Sequence, residues 1–180
     1  MTRTILTYAD YAALPDDGRH YELHEGELSV TPAPGTRHQR VKINLFDILL
    51  HHVRNRGLGD LFDAPTDCIL SDTSVVQPDI VFVDARHVSR VSERGIEGAP
   101  SLVVEVLSPS TERTDRGRKL ELYAHHGIQH YWVVDPVART IEGYVLDAGA
   151  YRLAGRVSGE QPAALLPFAD LLLDPAALWT

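Results

Sequence analysis

The chain has 180 residues, enough to bury one sizeable core, and sets 17 Lys and Arg against 25 Asp and Glu for a net charge of -8. That balance excludes a broad, charge-driven grip on a phosphate backbone, so any nucleic acid must meet a local basic patch. A single cysteine, Cys68, excludes an internal disulfide, and no charged-then-apolar leader or run of 18 apolar residues is present, which points to a cytoplasmic protein with no membrane partner. No repeat, low-complexity tract or long linker divides residues 1–180, which read as one domain.

In chain order, Thr7 and Asp10 have the spacing of a capping box, and a short helix follows until Pro15. Tyr21–Leu23 and Leu28–Val30 flank a glycine-containing turn and read as a hairpin with Tyr21, Leu23, Leu28 and Val30 on one apolar face, leaving Glu22 and Glu27 on the other. After the Pro32–Gly35 loop, Thr36 is placed to cap a long helix whose stripe is Val41, Leu45, Ile48, Leu49 and Val53, ended by Gly57 and Gly59. Strand character returns around Leu61–Phe62 and Cys68–Leu70. Val75–Val83 reads as one strand with a continuous apolar run, covered on both faces. Arg86–Gly98 is polar and reads as a loop or weak helix over a site. Leu102–Leu107 is a second buried strand. Thr114 can cap a helix over Asp115–His126 that stops at Gly127, and Ile128–Val134 reads as a central strand. Thr140–Leu146 and Tyr151–Leu153 suggest a peripheral hairpin, and Leu165–Trp179 is an apolar tail that packs on the body or on a second subunit, offering a homodimer interface. The order of elements specifies an α/β (α+β) fold with helices flanking a central mixed sheet.

The chemistry concentrates between Pro78 and Lys119. Asp79 opens one apolar run, and Glu105 is embedded in the next, among β-branched and leucine neighbours where a carboxylate without a partner is costly. Facing side chains on paired strands lie about 5 Å apart, so the two acids can meet and hold Mg²⁺ or Mn²⁺, with the carbonyl of Val106 as a third ligand. Lys119 on the following helix would favour hydroxide and balance phosphate charge. Singly, each residue has a structural explanation: a turn acid, a buried ion pair, a solvated helix face. Together and in this order they describe a metal site for phosphoryl chemistry.

Pro78-Asp79 followed by Glu105-Val106-Leu107 resembles the PD-(D/E)XK nuclease superfamily, with Leu107 where the usual motif lysine stands and Lys119 in the place of a migrated lysine. Blocks at Tyr21–Leu28, Pro32–Arg40, Gln77–Val81, Ala99–Thr111 and Lys119–Pro136 are similar, in order and spacing, to the Uma-two family of putative restriction endonucleases, and the resemblance runs from about Tyr8 to Leu178. It implies a restriction endonuclease-like core with an additional N-terminal hairpin and C-terminal hairpin, metal-dependent cleavage of DNA, and Asp79, Glu105 and Lys119 as acting residues. Glu22 and His38 lie in matching blocks and are supporting candidates. On that reading the two acids hold the metal, a metal-activated water attacks phosphorus, and Lys119 orients and helps to deprotonate it.

Two rivals share these residues: a non-catalytic nuclease-fold module for binding or assembly, and a hydrolase of another phosphate ester. Ser108, Ser110 and Thr111 can hold a phosphate oxygen or cap a helix, and Arg113, Arg116 and Arg118 can contact phosphate or flank a solvated helix start. The nine histidines include the pairs His51/His52 and His125/His126, but none has zinc-site spacing. No P-loop, dinucleotide fingerprint or nucleophile elbow is present.

Overall fold

The computed structural model describes residues 4–180. Helix α1 (Tyr8–Ala12) starts as its capping spacing predicts: the Asp10 carboxylate accepts from the backbone N–H and the hydroxyl of Thr7, each at 2.8 Å. Strands β1 (His20–His24) and β2 (Glu27–Thr31) form the expected hairpin, with Tyr21 opposite Val30 and Leu23 opposite Leu28. The expected faces hold, with Tyr21, Leu23, Leu28 and Val30 on one and Glu22 on the other, but burial does not follow apolarity. Val30 is exposed, whereas Glu22 and His24 are buried, because the polar face of β1 is turned inward.

Helix α2 (Thr36–Arg56) begins one residue earlier than expected: Gly35, not Thr36, is the N-cap. Its stripe of Val41, Leu45, Leu49 and Val53 is buried, and Gly57 closes it in the left-handed conformation that glycine adopts without a Cβ penalty. Strands β3 (Gly59–Asp63) and β4 (Cys68–Ser71) follow. Gly59 has φ +145°, and a Cβ there would lie 2.1 Å from the Val83 carbonyl oxygen, so only glycine fits against the neighbouring strand.

The stretch Val75–Val83 is not one strand. It divides into β5 (Ser74–Val76) and β6 (Ile80–Asp84), which belong to different sheets. Pro78 lies in the break; it lacks an N–H and cannot sit in a continuous central ladder. Residues 86–98 also differ from expectation. They form a 3-10 turn over Ala85–Arg90 and two short strands, β7 (Val91–Ser92) and β8 (Gly95–Glu97), that extend the second sheet and line no part of the acidic pocket described below.

Strand β9 (Leu102–Val106) is wholly buried. The expected helix from Asp115 to His126 is broken: α3 (Glu112–Asp115) and α4 (Arg118–His125) are separated at Arg116-Gly117, and Thr111 rather than Thr114 precedes the first turn. Then come β10 (His130–Asp135), the hairpin of β11 (Thr140–Asp147) and β12 (Ala150–Val157), the small pair β13 (Ala163–Leu165) and β14 (Phe168–Leu173), and α5 (Pro175–Leu178).

The central sheet has the order β12-β11-β10-β9-β6-β3, with β9 and β10 parallel and the other pairs antiparallel. A second sheet has the order β2-β1-β5-β4-β8-β7, so the N-terminal hairpin is an integral edge of that sheet. Alternation along the central strands makes two cores. Ile80, Phe82, Leu102, Val104, Trp132 and Val134 face α2 and the C-terminal tail. Val81, Val83, Val103, Tyr131 and Val133 face α4 and the second sheet. The tail's apolar residues Leu165, Phe168, Leu173 and Leu178 are buried in the first core, which settles where that stretch packs within this chain. Among the described residues no helix is long and apolar enough to cross a membrane.

Candidate active site

Asp79 stands one residue ahead of β6, and Ile80 pairs with Val104 across β6 and β9, so one further step of the antiparallel register sets Asp79 opposite Glu105. Glu105 shares a face with Val103 and therefore points toward α4. The two acids are anchored differently. Asp79 Oδ2 accepts from the Val106 N–H at 2.8 Å and lies 3.1 Å from His38 Nε2 on the first turn of α2. Glu105 Oε1 accepts from Lys119 Nζ at 3.0 Å and from the Tyr123 hydroxyl at 2.5 Å, both donors coming from α4.

Lys119 Nζ also donates to Glu22 Oε1 at 3.1 Å and lies 3.7 Å from Asp115 Oδ1. Glu22 in turn accepts from the Gln77 N–H at 2.8 Å, and its other oxygen is 3.1 Å from His24 Nε2. Thus Asp79, Glu105, Lys119, Glu22 and His38 are all brought to one pocket, with Val106 on its wall and room for about 100 Å³. Asp115, Gln77 and Tyr123 are partners that the sequence reading missed. Asp115 carried a signal in its four-residue spacing to Lys119, which puts the two on one face even across a break in the helix.

The site is dominated by negative charge. Four carboxyl groups, of Glu22, Asp79, Glu105 and Asp115, line it with two buried ammonium groups, of Lys119 and of Lys42, which is paired with Asp63 at 3.3 Å. Burial is the largest influence on Glu105 and pushes its carboxyl well above the usual range; Asp115, Asp79 and Glu22 add to that rise against the attraction of Lys119. Burial likewise raises Asp115. For Glu22 burial also acts upward, but the Lys119 ammonium, His24 and the Gln77 N–H outweigh it and hold the carboxyl at about 2. Burial alone would lower Lys119, yet Glu105, Glu22 and Asp115 keep its proton bound well above the ordinary lysine value.

The donor set fits a hard divalent cation. Both bonds to Asp79 go to Oδ2 and both bonds to Glu105 go to Oε1, which leaves the second oxygen of each carboxylate for a ligand. Asp115 Oδ1, 3.7 Å from Lys119 Nζ, is buried with no hydrogen-bond donor among the described residues. Among the described residues no three His, Cys, Asp or Glu side chains are already grouped around one point. Mg²⁺ does not need such a cage, since it keeps several waters and takes one or two protein carboxylates.

The basic residues expected to contact phosphate beside this site are mostly neutralised. Arg116 pairs with Glu142 at 2.6 Å, and Arg118 pairs with Glu27 at 2.5 Å and donates to the His24 carbonyl at 3.0 Å. Ser108 and Thr111 line the pocket, but their hydroxyls are 3.0 Å from each other.

Comparison with known proteins gives a family and a fold. The Uma2 family model, described as putative restriction endonuclease, matches residues 8–176. An uncharacterized protein of Synechocystis sp., slr1290, is 33% identical over 129 residues, which is 69% of this chain and 65% of that relative, so the match spans just under two thirds of the relative's length. The crystal structure of a putative nuclease belonging to DUF820 from Anabaena variabilis ATCC 29413 has the same fold, with a TM-score of 0.78 at 22% identity over 97% of each chain.

Proposed function

This chain belongs to the Uma2 family of putative restriction endonucleases, and from that premise we propose that it is a Mg²⁺- or Mn²⁺-dependent endonuclease hydrolysing phosphodiester bonds of DNA. The observation that carries the reading is the pairing of Asp79 with Glu105, each held through one oxygen, beside the Lys119 ammonium. Asp79, Glu105 and the Val106 carbonyl would hold the cation, which when bound supplies Lewis-acid stabilisation of phosphoryl charge and a more acidic water. His38 fixes the orientation of Asp79, as a hydrogen-bonded neighbour of a metal ligand does.

Lys119 donates to the attacking water and to the charge developing on the phosphate. Three carboxylates keep it protonated, so its part is to orient the water, not to deprotonate it. The raised carboxyl of Asp115, with one oxygen lacking a donor, is better suited to take the proton. The unit that acts is residues 1–180 as one domain in the cytoplasm. Cutting both strands needs two such sites, which a homodimer provides.

The test is cleavage of plasmid and single-stranded DNA with Mn²⁺ by the parent, Glu105→Gln and Asp79→Asn. Cutting by the parent that is lost in both variants supports the reading, and Glu105→Gln protein that cuts at the parent rate overturns it. A second reading, a nuclease-fold binding module, is favoured by the engagement of Lys119 with two carboxylates inside a closed cluster. No cutting by the parent with any divalent metal would favour that module.

A further inference from the structure

On the side of α2 away from the acidic pocket, Arg37, Arg40, Arg139 and Trp179 line a groove of about 430 Å³. All three guanidinium groups are exposed, and none has an ion-pair or hydrogen-bond partner among the described residues. Arg86 pairs with Asp84, Arg94 with Glu97 and Arg116 with Glu142; Arg54, Arg113 and Arg156 are also exposed and unpaired among the described residues, but they lie apart on α2, α3 and β12, whereas Arg37, Arg40 and Arg139 converge on one groove. The indole N–H of Trp179 is buried without an acceptor among the described residues. Arg139 holds φ +53°, a left-handed backbone that arginine seldom adopts, in the turn before β11. The first turn of α2 contains no acid to offset its N-terminal partial charge.

The groove is connected to the acidic pocket. Pro34 and Gln39 line both that pocket and a shallow depression beside Ile43, and the depression shares Thr36 and Arg40 with the groove. The path runs round one helix, a width of about 10 Å, which is the reach of a few consecutive phosphates.

We propose that the groove of Arg37, Arg40 and Arg139 binds the phosphodiester backbone of the DNA strand next to the scissile phosphate. The inference rests on the nuclease reading above. Guanidinium forks match phosphate oxygens in a bidentate geometry, and a chain of net charge -8 needs such a local patch to hold a polyanion at all.

The experiment measures binding of a labelled duplex by fluorescence anisotropy, in Ca²⁺, over a series of salt concentrations, for the parent, each single Arg→Ala variant and the triple. Each single variant should flatten the slope of log affinity against log salt by about one, and the triple by about three. The triple Arg→Lys variant should keep most of the parent slope, which separates charge from folding. Hydrolysis of bis(p-nitrophenyl) phosphate, a diester too short to reach the groove, reports on the nuclease reading alone and should be unchanged in every arginine variant. An unchanged slope in the triple alanine variant, or a parent that shows no salt-dependent binding, overturns the groove. Arginine-dependent binding by a parent that hydrolyses no diester under any metal overturns the nuclease reading and leaves the groove standing.

Discussion

Lys119 Nζ lies 3.0 Å from Glu105 Oε1 and 3.1 Å from Glu22 Oε1, so one buried ammonium joins a strand of the central sheet to the edge hairpin of the second sheet. The contact matters to both folding and chemistry. Removing one partner of a buried charge cluster leaves the others uncompensated.

Lys119→Met should therefore destabilise the protein by about 3–5 kcal/mol at pH 7, because Glu22, Glu105 and Asp115 lose the cation they share. Urea denaturation checks this. The loss should shrink toward pH 4, where the stranded carboxyls take up protons. A Lys119→Met variant as stable as the parent at neutral pH would show that the cluster does not hold the fold.

Glu105→Gln should behave in the opposite way with pH. The folded carboxyl of Glu105 is raised, so the folded state binds its proton more tightly than the unfolded chain. Its contribution to stability is whole below the ordinary Glu value and is lost as pH rises toward the folded value. Over that window the parent should lose about 1.4 kcal/mol per pH unit relative to the Gln variant. Glu22, held at about 2, gives the reverse trend, with stability lost as pH falls from about 4.5 toward 2. Paired denaturation series from pH 3 to pH 9 read both trends, and parallel curves for parent and Gln variant would contradict the first.

His38→Ala removes the imidazole 3.1 Å from Asp79 Oδ2 while leaving the Val106 N–H bond at 2.8 Å. Affinity for the divalent cation should fall about 10- to 100-fold, the usual cost of losing a group that orients a metal ligand. Mn²⁺ titration of the cleavage rate measures it, with Ca²⁺ calorimetry as a binding readout independent of turnover. An unchanged Mn²⁺ requirement would remove His38 from the site.

Leu173→Ala should cost about 2–5 kcal/mol, since Leu173 is fully buried in the core beneath α2. Because the tail packs within the chain, the loss should be independent of protein concentration. A loss that changes with concentration, rather than a midpoint that moves equally in parent and variant, would place the tail at a subunit interface.

Local patterns carried much of this. Periodicity revealed α2 and the buried strands, the acid spacing marked the start of α1, and the grouping of Asp79, Glu105 and Lys119 was legible because all three lie within one stretch of the chain. Where local rules competed, the reading was less exact: Pro78 split an apolar run into strands of two sheets, and Gly117 broke a helix that its neighbours would have continued. Composition and residue order thus determined the class of fold and singled out Asp79, Glu105 and Lys119 as a set that the structure brings to one pocket. Only tertiary structure decided that Glu22, 97 residues from Lys119, shares its ammonium, that the arginines near Glu105 are largely neutralised, and that three others, unpaired among the described residues, lie along one groove. Such meetings depend on strand register and on which face of each element is turned inward, and a polar residue facing a site leaves the same local pattern in sequence as one facing water.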